Sequence, residues 1–303
     1  MNIRMLIYIF VISILSGACE DTIDVDLDKA DPVLVVDAWI NDKPEDQVIR
    51  LTMSQPYFEQ SLPPEVSGAT VTVKDNEGKI YSFMEHDAGK YVWTPTAVNP
   101  TLGKIGNVYT LNIQLQDGDS YLSATTMNRT AQVDSISFTY EEETPFFPES
   151  YLAEVWARDQ VGVGDSYWIR AYKNGVLLNK PQEVNLAFDA AFTEGSNFDG
   201  ITFIEPIRRG INPVDLDEDD DFIPPYDLGD SIYVEIHSIS NEAFYFLTEV
   251  VIQTDRPGGF SELFAQPLAN VPTNIYATEN TGKGVVGFFN VAAVSGKGKK
   301  LKE

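Results

Sequence analysis

The chain has 303 residues, with 46 Asp or Glu against 21 Lys or Arg, 2 His and 1 Cys, and a formal charge of -25 at pH 7. With 43% hydrophobic and 12% aromatic residues it can fill a large core, which excludes wholesale disorder. The acidity excludes a nucleic-acid partner, since nothing here could replace counterions along a phosphate backbone. One Cys excludes intrachain disulfides and multi-thiolate metal sites, and two His leave no His-rich zinc site.

Residues 1–18 read as an export signal. Arg4 supplies a positive start, Met5 to Leu15 form an apolar run of eleven residues, and small Ser16, Gly17 and Ala18 lead into Cys19. A spanning helix needs about twenty apolar residues, so this run is too short to cross a bilayer. The stretch resembles a bacterial lipobox, in which Cys becomes the lipidated first residue after cleavage. Leu15 lies one place further from Cys19 than the usual pattern puts it, with Ser16 in its slot. Acyl chains contribute about 0.8 kcal/mol per buried methylene, so an acylated Cys19 would hold the rest of the chain on a membrane. Residues 19–30 form an acidic tether with Glu20, Asp21, Asp24, Asp26 and Asp28. Glu20 and Asp21, directly after Cys19, resemble the surface-export signal of Bacteroidota lipoproteins.

From residue 31 the sequence alternates with a period of two. Strands are expected at 33–40 and 48–53, then where Val71 and Val73 alternate with Thr70, Thr72 and Lys74. Asp75-Asn76-Glu77-Gly78 turns the chain into 80–84, and 90–93 follows. Tyr109, Leu111, Ile113 and Leu115 give the cleanest alternation, and the turn pair Asp117-Gly118 sends the chain back along 121–125. About seven strands between 31 and 127 suit an immunoglobulin-like sandwich.

A second segment begins near Ala131, with strands expected at 135–140, 152–158, 166–172, 201–204 and 232–239. One helix stands out near 240–255. Ser240 is its N-cap, Glu242 sits where the helix dipole favours a carboxylate, and Phe244, Leu247 and Val251 recur at helical spacing before Pro257-Gly258-Gly259 stops it. Lys297, Lys299, Lys300 and Lys302 mark 296–303 as a basic tail that frays in solvent. The fold class is therefore mainly β: an N-terminal immunoglobulin-like β-sandwich over 31–130, then a second β-rich domain over 131–295 with one substantial helix.

The densest charge run is Asp215, Asp217, Glu218, Asp219, Asp220 and Asp221. Alternating oxygens at Asp215, Asp217, Asp219 and Asp221 would suit calcium, and no other cofactor is implied. Counted from Asp215, however, the EF-hand's Gly and Glu positions hold Asp220 and Tyr226. With Pro206, Pro213, Pro224 and Pro225 around it, the run reads as a long solvated loop, and long loops are often functional. Contact with a basic partner is its other use.

Catalysis by a Ser–His or Cys–His arrangement would need His86 or His237, and both read as structural. Neither Gly-x-Ser-x-Gly nor a Walker glycine loop is present. A carboxylate pair could still serve a surface glycosidase or peptidase, which is the enzymatic alternative to a binding protein. Trp39, Trp93, Trp156 and Trp168 all fall in strand-like segments and read as core.

Several stretches together are familiar: Val35-Val36-Asp37-Ala38-Trp39-Ile40, Val66-Ser67-Gly68-Ala69-Thr70-Val71 and Gly89-Lys90-Tyr91. They are joined near the end by 260–264, Asn270-Val271-Pro272-Thr273-Asn274-Ile275 and Gly287-Phe288-Phe289. Behind Cys19 and its acidic residues, these resemble a Bacteroidota family of surface lipoproteins known as domain of unknown function 4249. Members are commonly encoded beside TonB-dependent outer-membrane transporters. The resemblance therefore implies a non-enzymatic, lipid-anchored accessory of such a transporter, exposed at the cell surface, and carries over no catalytic or ligand residues. A structural or adhesive surface module is a third reading.

Overall fold

The computed structural model describes residues 30–56, 59–145, 147–162, 164–188, 206–278 and 283–302. All seven strands expected before residue 127 are present: β1 Leu34–Asn41, β2 Gln47–Met53, β3 Thr70–Asp75, β4 Ile80–Asp87, β5 Lys90–Trp93, β6 Val108–Gln114 and β7 Ser120–Thr126. There follow β8 Gln132–Glu141, β9 Ser150–Arg158, β10 Ser166–Lys173, β11 Val176–Leu177 and β12 Asn185–Phe188. After them come β13 Asp215–Leu216, β14 Phe222–Ile223, β15 Ser231–Ile239, helix α1 Asn241–Thr254, β16 Ile275–Ala277, β17 Val285–Ala292 and β18 Val294–Lys300. The protein is mainly β. The strand expected at 201–204 lies outside the described residues. Pro32–Gln55 and Glu59–Glu303 form one compact unit, and nearly all of the other, Met1–Asp31 with Pro56–Phe58, lies outside the described residues.

Among the described residues, nine strands form the first sheet in the order β16-β7-β6-β3-β4-β5-β2-β1-β17. β4 is its corner: Ile80 to Phe83 pair with β3, whereas Met84 to Asp87 pair with β5, with a register shift between Glu85 and Asp87. The alternating residues of β1, Leu34, Val36, Ala38 and Ile40, point into one core with Tyr91, Tyr109, Leu111 and Phe289. The buried Tyr91 hydroxyl donates to Val66 O and accepts from Ala69 N, which fixes the approach to β3. The two end strands then meet through side chains. Asn274 accepts from Phe289 N at 3.0 Å and donates to Phe289 O at 2.8 Å, as a paired backbone would, and Thr273 donates to Gly287 O.

Two of these strands come from the segment assigned to the second domain, so the division at 130/131 does not describe where the chain ends up. β17 lies parallel to β1 from Leu34↔Val285 to Asn41↔Ala292. Parallel strands buried on both faces read as apolar runs, and β17 is one interrupted only by the buried Asn290: Phe289 and Val291 enter the first core while Phe288 faces the other way. Gly287 permits the close pairing. Its φ is 100°, and a Cβ there would overlap Val36 O.

The second sheet runs β11-β10-β15-β18, with β12 also on β10. The hairpin β8–β9 lies across it and encloses Ile136, Val155, Tyr167, Ile169, Val234 and Ile236. The basic tail does not fray. It is β18, paired with β15 from Ser231↔Lys300 to His237↔Val294. Lys297 and Lys299 turn their ammonium groups onto the β8 carbonyls of Asp134 and Ile136, so their charge satisfies backbone rather than solvent alone. Gly296 has no room for a side chain because the Tyr233 ring lies over it.

The two cores share a third cluster built around α1. Ser240 caps the helix by accepting from Ala243 N at 3.1 Å, and Ala243 and Leu247 are buried. Trp39 of β1 stacks on Phe288 at 5.6 Å, meets Trp168 of β10 edge-on at 5.3 Å, and touches Phe246 of α1 at 6.0 Å. Such ring pairs are worth about 0.5–1.5 kcal/mol each beyond their buried area. Ala293 is the pivot between β17 and β18: its N donates to Ser238 Oγ and its O accepts from Ser238 N. Replacing Gly287 by Ala forces a left-handed Ala against Val36 O and should cost on the order of 3 kcal/mol, read as a lower urea midpoint at unchanged slope. An unchanged midpoint would mean that β17 does not pass this close to β1.

Candidate functional site

The free edge of β9 is covered by segment 206–226 at three points. Val155 and Ile207 exchange backbone hydrogen bonds. The Asn212 amide accepts from Ala153 N at 2.7 Å and donates to Ala153 O at 3.0 Å, and Tyr151 bridges Tyr226. Tyr226 is fully buried, donates its hydroxyl to Ile211 O and sits edge-on to Phe138 at 5.3 Å. The expected solvated loop is therefore anchored at Ile207, Ile211 and Tyr226, because those side chains belong to the second core. Only its middle projects.

That projection and the tip of the β8–β9 hairpin bound a groove of about 430 Å³. Its walls are apolar, with Phe147 and Phe222 at 4.7 Å facing Val214, Ile223 and paired Pro224-Pro225. Phe147 is 54%, Val214 61% and Ile223 43% exposed, so the apolar surface is not filled by the described residues. The hairpin β13–β14 stands beside it and carries the acidic run at its turn. Asp217 is committed to that turn, since its Oδ1 accepts from Asp219 N and Asp221 N. Asp215 is paired with Lys180. Asp219 and Asp221 project into solvent and are not gathered with the others round one point. Among the described residues, no three His, Cys, Asp or Glu side chains are placed to hold a metal ion. Arg208 at the groove's other end is bound to Glu154, whose carboxyl it holds below the usual range.

The sequence pointed to the acidic run but not to Phe147, Phe222, Arg208 or Asn212. Phe147 lies far from Phe222 along the chain, and only the bridging of β9 by 206–226 brings the two together. The lipidation residue Cys19 and the export residues Glu20 and Asp21 lie outside the described residues. Among the described residues no helix is long and apolar enough to cross a membrane. A second apolar surface is the 3₁₀ turn Gly259–Phe264, where Phe260, Leu263 and Phe264 are exposed above the Arg256–Glu262 pair.

The two histidines differ sharply. His86 is exposed beside Asp87. His237 is buried at 2.9 Å from Glu235, whose other oxygen meets Lys43 at 2.6 Å across from the β1–β2 turn. Arg170 lies nearby over the Trp168 ring. Burial would raise the Glu235 carboxyl, but hydrogen bonds from His237 and Lys43 and the charge of Lys43 bring it down to about 2. Burial lowers His237 against the pull of Glu235, so the ring is neutral. An ionised carboxylate only accepts, so Nε2 carries the proton and donates it to Glu235. Burial also raises Asp37 and Asp42, and neither lines the groove.

Residues 20–297 match the family described as Domain of unknown function (DUF4249). No curated protein matches the chain.

The buried pair makes stability pH-dependent. The folded state keeps His237 neutral, whereas the unfolded chain takes up that proton below 6.5, so stability falls as pH drops through that value towards the folded one. Glu235 adds a second loss, beginning near its unfolded 4.5 and complete towards 2. In urea titrations from pH 7.5 to 5, His237→Gln should remove up to about 1.4 kcal/mol per pH unit of the wild-type slope, since one proton then ceases to be linked. An identical slope in the variant would mean that His237 titrates in the fold as it does in the unfolded chain, and a steeper one would mean that the fold keeps it charged.

Proposed function

Taking as premise that the chain belongs to the DUF4249 family, we propose that it is a non-enzymatic lipoprotein on the outer-membrane surface, anchored through Cys19, that docks a TonB-dependent transporter. The observation that carries this reading is the open apolar groove beside an acidic hairpin, which has the shape and chemistry of a contact surface. The export signal, Cys19 and the acidic residues Glu20 and Asp21 support the location. That the burial-raised carboxyls of Asp37 and Asp42 stand apart from the groove supports binding over carboxylate catalysis.

Anchoring suits such a task. A lipid tether confines the protein beside its partner and raises the effective concentration, so a modest intrinsic affinity is sufficient. The tether also relieves the folded body of any need to enter the bilayer.

In cells of the source organism, Cys19→Ser should move the protein from the membrane fraction to the soluble one. Mass spectrometry of the wild-type N-terminus should find Cys19 acylated. Wild type solubilised gently should bring a TonB-dependent transporter with it. An unmodified Cys19 in membrane-extracted protein would defeat the anchor, and a consistently solitary protein would defeat the partnership.

A further inference from the structure

We infer that the groove walled by Phe147 and Phe222 grips a polypeptide segment of the partner in which apolar side chains are flanked by Lys or Arg. The inference rests on the docking function proposed above and adds the chemistry of the contact. Three observations on the molecule carry it.

The first is that the groove's apolar walls are held in place and are not covered by any of the described residues. Phe147 and Phe222 contact one another at 4.7 Å, and Thr144 Oγ1 accepts from Phe147 N to hold the hairpin tip in place. On the other wall, Asn212 fastens the chain next to Pro213 and Val214 to the edge of β9. The walls are thus set before any partner arrives, which lowers the ordering entropy lost on binding. The groove's 430 Å³ is room for a few side chains rather than for a folded element.

The second observation is the sign of the rim. Lys180 is paired with Asp215, and Arg208 with Glu154 and Glu141, so these two cations are neutralised. Exposed Glu142 lines the groove, Glu143 follows it on the hairpin tip, and exposed Glu218, Asp219, Asp220 and Asp221 stand at the adjoining β13–β14 turn. Basic residues on the partner would meet this field, speed encounter and fix the register of the segment.

The third is that the same field rejects the alternatives. A second copy of this chain would set carboxylate against carboxylate, and an anionic lipid headgroup would be repelled in the same way. An apolar stretch with basic flanks satisfies both the walls and the rim.

The test uses the full lipidated chain in cells, with a benzophenone amino acid placed at Val214 on the groove wall or, as a control, at Val98, which is 87% exposed in the β5–β6 connection. Transporter co-purification with untagged-site wild type is scored in parallel. The expected result is a cross-link from Val214 and not from Val98, onto a transporter peptide carrying Lys or Arg beside apolar residues. Phe222→Ser should lower the yield of that cross-link about tenfold, in keeping with loss of an aromatic anchor. Asp219→Asn with Asp221→Asn should lower it less, and should weaken its dependence on salt. Unchanged circular dichroism of each variant confirms that the loss is not unfolding.

A transporter that co-purifies yet never links from Val214 overturns the groove as its seat and leaves the docking function standing. A link to an acidic segment, to lipid or to a second copy overturns the chemistry inferred. If no transporter accompanies even the wild type, the docking function falls and the groove's occupant falls with it.

Discussion

The parallel pairing of β1 with β17 is the constraint from which the rest of the molecule follows. It joins residues 34–41 to residues 285–292, so the fold is complete only when nearly the whole chain has been laid down. Loop closure over so many residues is costly in entropy, and the return comes from burying β17 on both faces. Phe289 and Val291 fill the first core, Phe288 stacks on Trp39 in the shared cluster, and Ala293 hands the chain to the second sheet. The Lys43–Glu235 pair adds an ionic tie across the same junction. Breaking a buried pair by removing one partner typically costs about 3–5 kcal/mol, although replacing both by apolar residues can be neutral. Its contribution is thus to fix which residues face each other more than to hold the halves together.

A sheet edge left open invites pairing with another chain, and this protein closes two with the same device. Asn274 satisfies both backbone groups of Phe289, and Asn212 does so for Ala153. A side-chain amide has the donor and acceptor of a peptide but cannot extend the ladder, so each edge ends there. One of these closures completes the first barrel-like wrap. The other fixes the segment that builds the groove, which is how an edge-protection device comes to shape the candidate contact surface.

Strands such as β3, β6 and β7 were legible because one face is buried and one is not, which writes a period of two into the sequence. Helix α1 was legible from Ser240 and the spacing of Phe244, Leu247 and Val251. β17 was not, because burial on both faces erases the alternation, and only Gly287-Phe288-Phe289 stood out as a motif. β18 was hidden by its lysines, whose stems cover backbone while their charges suggested solvent. The acidic run was visible, but the groove beside it was not, since Phe147 and Phe222 are brought together only by the bridging of β9. Composition reveals a charged loop readily, whereas a concave apolar surface assembled from distant segments leaves no local signature.

A frame, fixed by β1, β17 and the shared aromatic cluster, is thus distinct from a contact surface carried on the edge of the β8–β9 hairpin. Hydrogen exchange of the lipidated protein, alone and with the transporter that co-purifies with it, distinguishes the two directly. Slowing should be confined to the turn that holds Phe147 and to 212–225, with β1 and β17 equally slow in both samples. Slowing centred elsewhere, or no change at the groove in a confirmed complex, would mean that the groove is not the contact surface.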